Sequence, residues 1–208
     1  MEGRRGLRQR FFAWWYQKSD WSEFKKLVDG YKRELLGELS GDVVEIGPGT
    51  GDNFLYFPKE IRWIGIEPNV YMHPPLREAM TNAGIQGEIR AATAERIDLP
   101  DASADAVVSS LVLCSVSSLD GTLAEIKRVL RPGGRFVFLE HVAAPPGTGL
   151  RRAQKLIKPL WKFVGDGCNP DRDIEAAIRR AGFASVDVKV FRIPEFIASP
   201  HIAGTAVK

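Results

Sequence analysis

Two carboxylates and three glycines hold most of the chemical information in this chain. Glu45 lies in the apolar run Val43-Val44-Glu45-Ile46, and Gly47, Gly49 and Gly51 follow at alternate positions. Glycine lets the backbone turn through conformations closed to other residues and approach a ligand with no Cβ in the way. A second apolar run, Ile61 to Ile66, ends in Glu67, twenty residues beyond Gly47. A carboxylate at the tip of a second strand, at this distance, suits the two hydroxyls of a ribose. The dinucleotide fingerprint G-x-G-x-x-G does not fit. Starting at Gly47 it would need glycine at Asp52, and starting at Gly49 it would need glycine at Phe54. The spacing is G-x-G-x-G, with an acid two residues before the first glycine.

For these residues to meet, the strands that carry them must be parallel neighbours. Apolar and alternating runs predict strands near 42–46, 61–66, 86–91, 105–110, 134–141, 185–192 and 201–207. Helical periodicity predicts helices near 52–57, 70–83, 119–130, 150–163 and 171–181. Apolar strands alternating with amphipathic helices favour an α/β fold with a mainly parallel sheet covered on both faces. Right-handed crossovers then bring the loops at the strand C-termini to one rim. The last two strands, with Ile193-Pro194-Glu195 between them, read as an antiparallel hairpin at the sheet edge. His73, between Met72 and Pro74, reads as a helix-start residue.

Residues 1–40 differ in character and read as a helical lid segment, with 41–208 as the domain proper. Arg4 to Trp21 is basic and aromatic. Phe24, Leu27, Val28, Tyr31, Leu35 and Leu39 then fall on one helical face, with Ser19 or Asp20 as cap and Gly41 as the close. At 208 residues the chain suits one domain with a sizeable core. A net charge of +3, with no recognised RNA or DNA module, argues against a nucleic-acid partner. Two cysteines, Cys114 and Cys168, without C-x-x-C spacing, exclude a disulfide framework by count and argue against a structural zinc site, so no metal is expected. No secretory signal is visible, so a reducing cytoplasm is expected.

Further motifs follow in order: Glu67-Pro68-Asn69, Ala94-Glu95 with Leu99-Pro100-Asp101-Ala102-Ser103, and Arg128-Val129-Leu130-Arg131-Pro132-Gly133-Gly134-Arg135-Phe136. With Glu45 and the glycines, they make the chain resemble the class I S-adenosylmethionine-dependent methyltransferases from about Val43 to Lys208. The resemblance implies their Rossmann-like fold, a seven-stranded, mostly parallel sheet in the order 3-2-1-4-5-7-6, and S-adenosylmethionine as cofactor. It implies that Glu45 holds the cofactor's amino group and that Gly47, Gly49 and Gly51 wrap its methionine part. Glu67 would take the ribose hydroxyls. Pro68, Asn69, Ala94, Glu95 and Leu111 would complete the cofactor site, with Thr93 standing where many members carry Asp. A narrower set is similar to the methyltransferase-like thiol S-methyltransferases of animals: Leu111 to Val116, Glu140-His141-Val142-Ala143-Ala144, Asp166-Gly167-Cys168-Asn169 and the ending Pro200-His201-Ile202 to Lys208. Those relatives carry a hydrophobic membrane anchor at the N-terminus. Here the longest such run is Phe11 to Tyr16, short of the ~20 residues that cross a bilayer, and no anchor is expected.

Methyl transfer from a sulfonium is an in-line displacement that needs alignment and exclusion of water. A small apolar thiol needs little more, because a thiolate is already nucleophilic. The open alternatives are methylation of a quinol, phenol or phospholipid headgroup, and a cofactor-binding module without turnover. An oxygen or nitrogen acceptor would want a general base. His141 and Asp166 are the candidate catalytic residues, ahead of His201. Cys114 reads as a small buried hydrophobe, and Glu140 is undecided between interior and rim. Trp14, Trp15, Tyr16 and Trp21 read as a lid over a small-molecule acceptor, as a peripheral contact with an anionic membrane surface, or as part of a helix that merely covers a sheet face. A second basic and aromatic helix, Leu150 to Phe163, is expected to kink or end at Pro159 and to form a wall of the acceptor site.

Overall fold

The computed structural model describes residues 2–194 and 197–208, the side chains of 2–5 excepted. In chain order the elements are α1 (Glu2–Lys18), α2 (Ser22–Leu36), β1 (Asp42–Ile46), β2 (Arg62–Ile66), α3 (His73–Ala83), β3 (Gln86–Arg90) and β4 (Ala104–Ser110). There follow α4 (Leu119–Val129), β5 (Leu130–His141), α5 (Gly149–Val164), α6 (Ile174–Arg180), β6 (Ser185–Arg192) and β7 (Pro200–Val207). One seven-stranded sheet runs β3-β2-β1-β4-β5-β7-β6. The first five strands are parallel, and β7 lies antiparallel between β5 and β6. This is the Rossmann-like class I methyltransferase fold, in the strand order that the family resemblance implies.

The two-residue period of β1 explains its burial on both sides. Val44 and Ile46 join Val107, Phe136, Leu123 and Ile178 on the face covered by α4 and α6. Val43 joins Trp63, Phe54, Leu76 and Leu36 on the other. Residues opposite in register, such as Val43 with Trp63 and Val44 with Val107, keep that division along the sheet. Both faces being dry, the strand reads as a continuous apolar run. Its polar exception, Glu45, is therefore held at a cost, as a ligand-binding group often is.

Several boundaries differ from the sequence reading for local reasons. β5 begins at Leu130, ahead of the expected 134, because Leu130 pairs with Ala104 before a register irregularity across Arg131 to Gly134. Gly133 and Gly134 also exchange backbone hydrogen bonds with Lys208. The α5 helix does not end at Pro159 and continues to Val164. The N-cap of α2 is Trp21 and makes no side-chain cap, so neither Ser19 nor Asp20 holds the expected position, although Asp20 Oδ1 accepts from Ser22 N at 2.8 Å. His73 opens α3 and bonds the Glu67 carbonyl through Nε2 at 2.9 Å. The hairpin partner Glu195 lies outside the described residues.

The first 40 residues fall into two units. α2 belongs to the core: Val28 is fully buried against Leu139 and Ala203. α1 instead spans the C-terminal rim, where Asn69 Nδ2 donates to the Gln9 carbonyl at 3.1 Å and Arg8 meets Asp166 at 3.0 Å.

Candidate functional site

Gly47, Gly49 and Gly51 all adopt positive φ, at 59°, 58° and 86°. Each is the region that favours glycine, but the reasons differ. A Cβ on Gly47 would lie 2.6 Å from Val112 Cγ2, and one on Gly51 would strike the Phe54 ring. A Cβ on Gly49 would meet nothing within 4 Å, because that position faces a cavity. Gly47 and Gly49 line the cavity and Gly51 does not. Gly51 makes the turn, Gly47 lets the loop pass Val112, and Gly49 leaves space for a ligand.

Glu67 fixes this loop from the neighbouring strand. Its Oε2 accepts from Gly49 N at 3.1 Å and its Oε1 from Asn69 N at 2.8 Å. Each oxygen keeps acceptor capacity toward the cavity. Burial raises the carboxyl's pKa, and the two backbone donors work against that rise. Glu45, completely buried, is pushed up to about 7 by desolvation, against hydrogen bonds from Trp63 and Asn53. Asn53 Nδ2 donates to Glu45 Oε1 at 2.7 Å, and Trp63 Nε1 donates to Oε2 at 2.8 Å. The Asn53–Glu45 bond orients the Asn53 amide and leaves its Oδ1, a buried acceptor on the cavity wall, without a partner among the described residues. An unmet acceptor beside a buried carboxylate is the acceptor complement of an ammonium group, which carries only donors.

The cavity measures about 560 Å3 and runs from these acids to the loops after β4 and α5. Pro68, Asn69, Thr93, Ala94, Glu95 and Leu111 line it with Glu45 and Glu67, so the cofactor residues expected from the sequence, Gly51 excepted, share one space. Leu111 holds φ at 61°, unusual for a branched residue, and its N–H bonds Leu139 O at 2.8 Å. Glu140 is interior. Its carboxyl, raised to about 8 by burial and then by Cys114, accepts from Ser109 Oγ and the backbone of Val112 and Leu113. It therefore shapes the chain after β4 and does not reach the rim.

Asp166 lines the far wall in a positive-φ turn and pairs with Arg8 of α1. Asn169 Nδ2 and Arg172 Nη1 hold carbonyls of Cys114, Leu113 and Val116, tying this loop to the one after β4. Over the top lie Phe12, Tyr16, Trp21 and Phe24. The Tyr16 phenol is driven upward by burial and by the Asp52 and Glu67 charges. Of the four aromatics expected to close the site, Tyr16 and Trp21 do line it. Trp15 packs edge-on against Trp21, and Trp14 points outward at 57% exposure.

His141 stands elsewhere. It is buried at the end of β5, does not line the cavity, and places Nε2 3.1 Å from Cys168 Sγ. The two sequence-predicted catalytic residues are thus separated: Asp166 on the wall, His141 behind it, with His201 also off the wall. His141 joins Cys114 and Cys168 in a buried group that no local spacing announces. The sequence reading also missed Asn53, Lys32, Arg8 and Arg172. For Lys32 a signal existed: it falls midway between Val28 and Leu36 at helical spacing, on the buried stripe of α2.

Residues 44–138 match the family described as "Methyltransferase domain". The chain is 37% identical over 197 residues to the thiol S-methyltransferase TMT1B of Rattus norvegicus, covering 88% of this chain and 80% of the relative. To the thiol S-methyltransferase TMT1A of Homo sapiens it is 38% identical over 190 residues, covering 85% and 78%. Among solved structures, the 1,6-didemethyltoxoflavin-N1-methyltransferase of Burkholderia thailandensis, with S-adenosylhomocysteine bound, superposes at a TM-score of 0.71. It is 19% identical, covers 100% of this chain and 89% of that one, and shows the shared fold. With the Glu45 and Glu67 rim, the Gly49 opening and the sheet order in place, the chain belongs to the class I S-adenosylmethionine-dependent methyltransferases, as a relative of the thiol S-methyltransferases.

Proposed function

We propose that this enzyme transfers the methyl group of S-adenosylmethionine to the sulfur of a small apolar thiol. The likeness to thiol S-methyltransferases over most of the chain carries the reading. The wall supports it. Among the described lining residues there is no histidine, Asp166 is engaged by Arg8, and Arg172 is engaged by two carbonyls. That wall offers alignment and dryness more than proton transfer, which suits an acceptor that ionises by itself.

When bound, S-adenosylmethionine supplies an electrophilic methyl carbon, to which a thiolate gives an electron pair as the sulfonium bond breaks. Asn53 Oδ1, oriented by Glu45, would take its ammonium group. Glu67 would take the ribose hydroxyls, and Gly49 would leave room for its methionine part. Pro68, Asn69, Ala94, Glu95 and Leu111 would border it. Asp166 pairs with Arg8 and adds one contact, beside that of Asn69 with Gln9, to those that would keep α1 over the acceptor half and its aromatics between acceptor and water. Offered thiols, phenols, quinols and amines with labelled cofactor, the enzyme should give thioethers fastest. Labelled phenol, quinol or amine products with no thioether would overturn the substrate and leave the cofactor in place.

The outer side of the same lid supports a second reading, peripheral contact with an anionic membrane. Leu7, Phe11 and Trp14 expose one face of α1, and Leu156, Leu160 and Phe163 expose one face of α5, both at helical spacing. The α5 helix carries Arg151, Arg152, Lys155, Lys158 and Lys162 with no acid. Apolar stripes flanked by cations are what an anionic lipid surface takes up. No helix among the described residues is long and apolar enough to cross a membrane. The protein should sediment with phosphatidylserine vesicles and be released by salt, and L156D/F163D should not sediment. Absence of the wild type from the vesicle pellet overturns this reading. Cys114 and Cys168, neither of them in a disulfide, support the cytoplasmic expectation, since unoxidised cysteine suits a reducing compartment.

A further inference from the structure

Cys114, His141 and Cys168 come from three places in the chain: the loop after β4, the last residue of β5 and the turn following α5. Their ligand atoms all lie within 4.8 Å of one another, and all three residues are buried. We infer that they form a zinc site behind the acceptor wall, one that clips the loops of that wall together. Zinc bonds thiolate sulfur at about 2.3 Å and imidazole nitrogen at about 2.0–2.1 Å, so tetrahedral ligand atoms sit roughly 3.5–3.8 Å apart. His141 Nε2 and Cys168 Sγ, now 3.1 Å apart, need to separate by only a few tenths of an ångström.

The surroundings fit sulfur ligands. The Trp161 indole N–H donates to Cys168 Sγ at 3.3 Å, the kind of outer-shell hydrogen bond that orients a ligand. Ser115 Oγ lies 3.5 Å from Cys114 Sγ, within reach of a second outer hydrogen bond to sulfur. Charge selects a divalent ion, and the thiolate and imidazole ligands suit zinc among those. Cys114 and Cys168 sit in an apolar cluster with Leu113, Val116, Val142 and Ile174. A net charge there is costly. Two thiolates balance a divalent ion and leave a monovalent one with an excess negative charge. Loading is written Zn2+ + 2 RSH → Zn(SR)2 + 2 H+, with the imidazole bound neutral.

The clip matters because residues beside each sulfur line the cavity. Ser115 and Asn169 do so, and Asn169 already bonds the Cys114 carbonyl through both its N–H and its Nδ2. The ion would lock a contact that hydrogen bonds alone now hold.

The full chain, without a histidine tag and purified in reductant after growth with zinc, should contain about one zinc per chain by mass spectrometry. Titrating the metal-free protein with cobalt(II) should give thiolate-to-cobalt charge-transfer absorption. C114S, C168S and H141A should bring zinc to background while still binding S-adenosylhomocysteine in calorimetry. If a variant does not fold, the cobalt spectrum of the wild type decides. Wild type that holds no zinc and shows no charge-transfer band overturns the site. Zinc retained by C114S/C168S, or a Cys114–Cys168 disulfide in the reduced preparation, overturns it equally. None of these readouts depends on methyl transfer, so the site and the proposed reaction fail separately.

Discussion

Replacing Glu67 with alanine should weaken S-adenosylmethionine binding by about 10- to 150-fold, the loss of roughly 1.5–3 kcal/mol that a hydrogen bond to a charged group carries. The effect should be large because the carboxylate has two duties. It faces the cavity as an acceptor, and it holds the backbone N–H groups of Gly49 and Asn69. Without it, two donors at the rim lose their partner, and the loop that leaves space at Gly49 loses its brace. Glu67→Gln should not rescue binding, since its amide would set N–H against one of those backbone donors. Calorimetric titration measures both variants. Affinity equal to wild type in Glu67→Ala would remove Glu67 from the cofactor site.

Deleting residues 1–18 should leave a folded protein whose turnover falls by roughly 10²-fold, the scale of a misplaced or wet reaction geometry. The fold should survive because α2 remains, with Val28 buried against Leu139 and Ala203. Acceptor KM should rise more than the cofactor Kd, since Glu45, Asn53, Gly49 and Glu67 all lie outside the deletion. Arg8→Ala should have a far smaller effect, because a half-exposed ion pair is worth about 1 kcal/mol or less. Circular dichroism and steady-state kinetics on the truncated protein test this. Failure to fold would place Ala13 and its aromatic neighbours in the core and end their reading as a lid.

The sheet was legible in the sequence because a parallel sheet buried on both faces needs near-continuous apolar strands, and amphipathic helices must alternate with them. Glu45 and Glu67 stood out because one is a charge inside such a run and the other closes the next one. Glycine spacing gave the loop but not the division of labour within it. Only the neighbours of each missing Cβ, Val112, Phe54 or open space, separate Gly47 and Gly51 from Gly49. Side-chain direction at a strand end was equally hidden. Glu140 and His141 are both buried, where simple alternation would send one of them outward. The loops after β4 and α5 close over that end of β5, so both sides of it are interior. Asn53 and Arg8 escaped notice because their roles depend on partners that the fold supplies and no local pattern does, Glu45 across the glycine loop and Asp166 far along the chain. The Cys114, His141 and Cys168 group is the extreme case, assembled from residues 27 positions apart at each step.

The central claim is that the enzyme grips the cofactor and keeps the reaction dry while the acceptor thiol supplies its own thiolate. The most direct test is the pH dependence of turnover for a series of alkyl and aryl thiols whose own pKa values differ. The rate should rise with pH, and its midpoint should move with the pKa of each thiol. A midpoint that stays fixed across the series would reveal a titrating group of the protein as the base, and would contradict the account.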